Sequence, residues 1–130
     1  MTIHQLLMMR MLTTIVLAAA LTHAAAAQTI TALAVPNRVN STPWVAASGS
    51  FVAVAWGAAA NGKGDIYVAV SRDGGRAFSA PVRVNSVAGD ARISGEIAPR
   101  VALLAKKGDS LPLITVAWNA KDGTTQIRTA

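Results

Sequence analysis

The stretch SRDGGRAFSAPVRVN, Ser71 to Asn85, decides how this chain is read. Ser71 and Asp73 have short polar side chains that bond nearby backbone N–H groups, and Gly74 and Gly75 tolerate positive φ. Such a cluster makes a tight turn. On its N-terminal side lies DIYVAVS, Asp65 to Ser71, and on its C-terminal side PVRV, both short and rich in β-branched or aromatic residues. The turn therefore joins two strands.

Moving outward, the same alternation continues with no 3.6-residue periodicity, which predicts an all-β chain. The predicted strands are Ser50 to Trp56, Asp65 to Ser71, Phe78 to Val84, Pro99 to Ala105, Pro112 to Trp118 and Thr125 to Ala130. Between them stand AAANGKG, RDGGR, KKGDS and NAKDGT, all rich in hairpin-turn residues. An antiparallel meander follows.

Two echoes divide that meander into units. RVNS occurs at Arg38 to Ser41 and again at Arg83 to Ser86, 45 residues later, and VAW occurs at Val54 to Trp56 and at Val116 to Trp118, 62 residues later. In each unit VAW ends a strand, a Gly/Asp turn follows, and an Ile-containing strand comes next: Ile66-Tyr67-Val68-Ala69 in the first, Ile127-Arg128-Thr129-Ala130 in the second. The extra length of the second unit falls on VAGDARISGEIAP and on a longer KKGDS turn. A period near 45 residues with about four strands is the spacing of a β-propeller blade. A self-contained β-sandwich of seven short strands is the alternative, and it leaves the echo unexplained.

With that spacing in view, SRDGGRAF resembles the Asp-box, S/T-x-D-x-G-x-T-W/F, of the sialidase-like (BNR repeat) propellers. Ser71, Asp73, Gly75 and Phe78 stand at its matching positions, and Ala77 replaces the usual Thr or Ser. The resemblance covers Val35 to Ala130 and implies antiparallel four-stranded blades of a six-bladed β-propeller. Closure needs about four to eight blades. Residues 28–130 supply fewer than two, so the expectation is an N-terminal fragment that ends inside a blade, with exposed sheet edges and a tendency to self-associate.

The first 27 residues are expected to be an export signal. His4 and Arg10 lie in its leading region, and Leu12 to Thr22 is an uncharged core. That core is shorter than the roughly 20 residues of a membrane span. Ala25-Ala26-Ala27 before Gln28 meets the small-residue rule for cleavage. The mature protein is thus expected in the periplasm or outside the cell, with no stable membrane anchor. The chain has no cysteine, so its stability rests on its core and not on disulfides. The net charge of +6 is dispersed, with no run longer than Lys106-Lys107, which argues against a nucleic-acid arm. An anionic glycan or envelope polymer is the partner class that this surface admits, with a basic surface that has no specific anionic partner as the plainer account. No cofactor is implied, and no metal site either, since both histidines, His4 and His23, leave with the signal.

Function is less legible than fold. Asp-boxes lie on the outer turns of blades, so the motif speaks for architecture and not for chemistry. The resemblance implies an arginine triad, an Asp acid/base and a Tyr–Glu nucleophile, but the Phe/Tyr-Arg-Ile-Pro motif of the first arginine does not occur. PNRVN and APRVAL, Pro36 to Asn40 and Ala98 to Leu103, are the nearest arginine-bearing stretches. Tyr67, the only tyrosine, precedes the Asp-box and reads as packing. Asp90, Arg92, Glu96 and Arg100 crowd the insert GDARISGEIAPR and are the pocket candidates, with a solvated charged loop as the plainer account. Asn40-Ser41-Thr42 fits a glycosylation acceptor, a pattern given no weight beside a bacterial-looking signal. Two functions stay open: a sialidase-like glycoside hydrolase completed by further blades, inactive as this fragment, or a non-catalytic propeller that binds glycan or protein. Sequencing the gene past the codon for Ala130 is expected to reveal another S-x-D-x-G box; an immediate stop codon would favour the sandwich.

Overall fold

The computed structural model describes residues 31–108 and 110–130. The expected export signal, with His4, Arg10 and His23, lies outside them, as does Asp109 of the KKGDS turn. Among the described residues the chain is all-β. Strands β1 (Val39–Ser48), β2 (Phe51–Ala60), β3 (Lys63–Ser71) and β4 (Val82–Arg83) form one antiparallel sheet, and β5 (Arg100–Leu104), β6 (Leu113–Asn119) and β7 (Thr125–Thr129) form a second. Each sheet is a meander in chain order. Neither sheet closes on itself.

Three local findings depart from the sequence reading. Strand β1 was not expected, because Pro43 interrupts it; the chain accommodates the proline with a bulge between Ser41 and Trp44, where Thr42 takes a φ of 52°. The seven-residue link AAANGKG shrinks to Asn61-Gly62, both at positive φ, with Ala60 and Lys63 paired across it. The three alanines belong to β2. The strand expected from Phe78 to Val84 shrinks to two residues, since Pro81 has no N–H to give and the Ser79 hydroxyl, not a carbonyl, receives the Val70 N–H at 3.1 Å.

Register relates the two sheets residue by residue. Trp44, just after Pro43, pairs with Ala55, and Arg100, just after Pro99, pairs with Ala117. The second alanine and the first belong to the two VAW echoes. Continuing across, Ala55 pairs with Val68 and Ala117 with Ile127. Ile127 therefore matches Val68, not Ile66, and Ala130 falls where Ser71 stands, a two-residue correction to the sequence alignment. The reason is the shorter second hairpin, in which Trp118 pairs with Gln126 whereas Trp56 pairs with Tyr67, farther along the chain.

Equivalent residues also point the same way. Ala53, Ala55, Ile66 and Val68 leave the first sheet toward the second and meet Val101, Val116 and Trp118 in one buried cluster. The opposite side of the first sheet, with Val54, Trp56, Ala58 and Ala69, is covered by Leu33, Val35 and Phe78. The sheets thus stack head to tail, front of the first on back of the second. The front of the second sheet stays open, with Ile127 67% exposed and Leu104 49%.

Between the sheets, the segment 86–99 folds back on β2 and β3. Gly57 and Gly64 leave the space for Ile93: a Cβ at either would lie 2.8 Å from its side chain, and at Gly64 also 2.5 Å from the Ala91 carbonyl oxygen. The Ala91 N–H donates to the Gly64 carbonyl at 3.0 Å. Replacing Gly64 with alanine is expected to cost about 1–3 kcal/mol by overpacking, read as a lower urea midpoint. Gly95→Ala, with open space around it, is expected to stay within about 0.5 kcal/mol of the parent.

Candidate functional site

The end of the sheets that carries this segment is organised by Asp65, a residue the sequence reading placed only as the start of a strand. Asp65 is 2% exposed. Its Oδ2 accepts from Arg38 Nη1 at 2.7 Å, and its Oδ1 accepts from Asn85 Nδ2 at 2.8 Å and from the Gly89 N–H at 2.7 Å. Arg83 adds a longer ionic contact at 3.9 Å. Burial by itself would raise the Asp65 pKa, but the bonds from Gly89, Asn85 and Arg38 together outweigh it and hold the carboxyl below its ordinary value. The group is a fixed anion.

Asn85 extends this node. Its Oδ1 accepts from the Ile66 N–H, and its amide also donates to Val87 O and to Asp90 Oδ1, at 2.7 and 3.1 Å. Asn40, its counterpart in the first RVNS, instead accepts from Val35 N–H and Trp56 Nε1 at 2.8 and 2.9 Å. The echo keeps the residue and changes its task. Because Asn85 is committed to the inserted segment, Trp118 Nε1, the match of Trp56 Nε1, is buried without a partner.

Around the node lies a cavity of about 290 Å³ lined by Arg38, Asn61, Lys63, Asp65 and Gly89. Lys121 reaches its rim by donating from Nζ to the Gly62 carbonyl at 2.8 Å. Asp65 is already paired with Arg38; Lys63 and Lys121 stand at this end together with the carboxylates of Asp90 and Asp122. Arg92 is exposed on the adjoining loop, whose N–H at residue 92 donates to the Asn119 carbonyl.

The four pocket candidates are placed apart in role. Asp90 binds Asn85 and is structural, whereas the Arg92 and Glu96 side chains are exposed. Arg100 lays its guanidinium 3.9 Å above the ring of Trp44, which is 42% exposed, at the junction of β1 and β5. No hydrogen bond or ion pair joins these four side chains among the described residues. Tyr67 lies against Trp56, ring centroids 6.3 Å apart, with Arg38 5.8 Å from its ring centre. It packs, as its sequence position suggested.

The Ser71–Phe78 turn sits at the other end of β3, seven residues from Gly64 and so about 23 Å away at the rise of a strand. Ser71 Oγ donates to Asp73 Oδ1 at 2.7 Å and accepts the Gly75 N–H at 2.8 Å, while Asp73 Oδ1 accepts the Ala77 N–H at 3.0 Å. The bonds from Ala77 and Ser71 lower the Asp73 pKa. Phe78 packs on the Val54–Trp56 side of the first sheet. These contacts close a turn and leave no reactive group.

Among the described residues no group of His, Cys, Asp and Glu has the arrangement of a metal site, and no helix is long and apolar enough to cross a membrane. Comparison with protein-family models, with curated proteins and with solved structures gives no match. The chemistry of the site therefore rests on its own geometry: a fixed carboxylate, exposed cations and an arginine–tryptophan stack, which bind better than they transfer protons. Because the folded Asp65 pKa is depressed, its contribution to stability is present above the unfolded value near about 3.9 and is lost as pH falls through the lower folded value. Acid titration of the folded chain is expected to show this loss below about pH 4, and Asp65→Ala to remove it. That substitution is also expected to cost about 3 kcal/mol in chemical denaturation, the low end for a buried pair because Arg38 keeps access to water.

Proposed function

We propose that this chain is part of an exported, sialidase-like propeller that is directed at glycans, and that its own residues bind an anionic sugar without turning it over. The observation that carries the reading is the head-to-tail equivalence of the sheets: Trp44 and Arg100, Ala55 and Ala117, Val68 and Ile127 hold matching register positions and face the same way. Head-to-tail contacts repeat, closing into rings when the rotation allows. On this reading each sheet is a blade, the Ser71–Phe78 turn is its Asp-box, and further blades complete the ring.

The end away from that turn then faces ligand. Lys63, Lys121 and Arg92 offer donors to a sugar carboxylate. Hydrolysis would need an acid, a nucleophile and a base in reach of one bond. Here Asp65 is held ionised, Tyr67 is stacked, and Glu96 is exposed on its loop.

Titration calorimetry with sialyllactose and with lactose tests the proposal. Sialyllactose is expected to bind at least tenfold more tightly, and the double substitution Lys63→Gln, Lys121→Gln to erase about tenfold of that preference. Equal affinity for both sugars would overturn the anionic-glycan reading, and release of a fluorophore from a sialoside would overturn the absence of turnover.

A further inference from the structure

The tip of the hairpin between β2 and β3 is Asn61-Gly62, both residues exposed and both at positive φ, 50° and 70°. An asparagine followed by glycine is the pair in which a main-chain nitrogen most readily meets a side-chain amide, because glycine puts no Cβ in the way. The surroundings are open too: a Cβ at Gly62 would meet nothing within 4 Å. Gly62 is held through its carbonyl, which accepts from Lys121 Nζ at 2.8 Å; its N–H and the Asn61 side-chain amide take part in no hydrogen bond among the described residues. Three other asparagines are tied down. Asn40 Oδ1 accepts from the Val35 N–H, Asn85 Oδ1 from the Ile66 N–H and Asn119 Oδ1 from the Thr125 hydroxyl, and each is followed by Ser or Ala in place of glycine.

We propose that Asn61 is a site of spontaneous deamidation and isomerisation, and that its isoaspartyl product separates the tips of the two hairpins. The Gly62 nitrogen loses its proton to solvent and bonds to Asn61 Cγ, the Cγ–Nδ2 bond breaks, and ammonia leaves behind a cyclic imide. Water then opens the ring. Addition at Cγ gives an aspartate, whereas addition at the main-chain carbonyl of residue 61 leaves the chain running through Cγ, with an extra atom in its backbone. A two-residue turn has no slack for that atom, since Ala60 and Lys63 pair directly across it. The Gly62 carbonyl is thereby drawn off Lys121, whose ammonium joins this tip to the tip after β6. The Lys121 N–H keeps its own bond to the Asp90 carbonyl, so the second sheet stays docked while the tips part. Asn61 also lines the cavity around Asp65, but the reaction needs no ligand there, and the glycan reading stands or falls without it.

Incubation of the purified chain in mildly alkaline buffer, followed by tryptic peptide mass spectrometry, is the test. The peptide Val39 to Lys63 is expected to gain the mass difference between an amide and an acid about tenfold faster than the peptides that hold Asn85 and Asn119. Electron-transfer fragmentation is expected to place the change at Asn61 and not at Asn40, with the isoaspartyl form as the larger share. Asn61→Gly, which keeps a residue free to take positive φ at the tip, is expected to keep the fold and gain no mass there. In the isolated isoaspartyl form the Lys63 amide is expected to exchange with solvent deuterium about tenfold faster than in the parent, with the Val68 and Ala69 amides unchanged. Asn61→Asp adds the carboxylate without the extra atom and is expected to leave Lys63 exchange within about twofold of the parent. An Asn61 that stays intact for as long as a synthetic peptide of residues Ala59 to Gly64 takes to convert would overturn the site, as would faster ammonia loss at another asparagine. Equal Lys63 exchange in the isoaspartyl form and the parent would overturn the parting of the tips.

Discussion

The buried carboxylate of Asp65 is the constraint on which one whole end of the molecule depends. A carboxylate taken out of water must be matched by donors, or it costs more than the fold of a small domain tolerates. Here the donors come from distant parts of the chain: Arg38 precedes β1, Asn85 follows β4, and Gly89 opens the inserted segment. One side chain at the start of β3 thereby fixes the approach to the first sheet, the exit from it and the path to the second. The cavity is a consequence of that arrangement.

The close packing beside the node has the same logic. Ile93 reaches the first sheet only because Gly57 and Gly64 lack side chains, and the alanines of β2 let the sheets approach each other over Ala53 and Ala55. Small residues that look featureless in the sequence are thus where the second sheet meets the first. They also explain how a chain with so few aromatic residues builds a core, since Trp118 and Phe51 are the large members of that cluster.

Strand class, the hairpin order and the turn at Ser71–Phe78 were legible because they rest on local chemistry: β-branched runs, Asn-Gly and Asp-Gly pairs, and a side chain that bonds its own turn. Strand β1 was not legible, as Pro43 and the run of Ala and Ser residues hide a strand held by pairing with β2. The two-residue slip between Ile66 and Ile127 was hidden because a shared isoleucine outweighed the length of the hairpin arms, which only the pairing register measures. Among the site residues, the insert drew notice through its density of charge, yet Asp65, Asn85 and Lys121 act through partners 20 to 59 positions away in sequence. Such pairings leave no local trace. A lone acid opening an apolar strand, as in DIYVAVS, was the one available sign.

The two faces of the first sheet are both covered, whereas the second sheet is covered on one. That difference sets an order of local opening. Amides of β2 and β3 sit between two apolar clusters and hydrogen-bond on both sides, so their exchange with solvent deuterium requires the largest unfolding events. Amides of β7 lie in an exposed strand at a sheet edge and exchange through much smaller ones. The molecule therefore loosens from β7 inward, and its first sheet is the unit that persists longest.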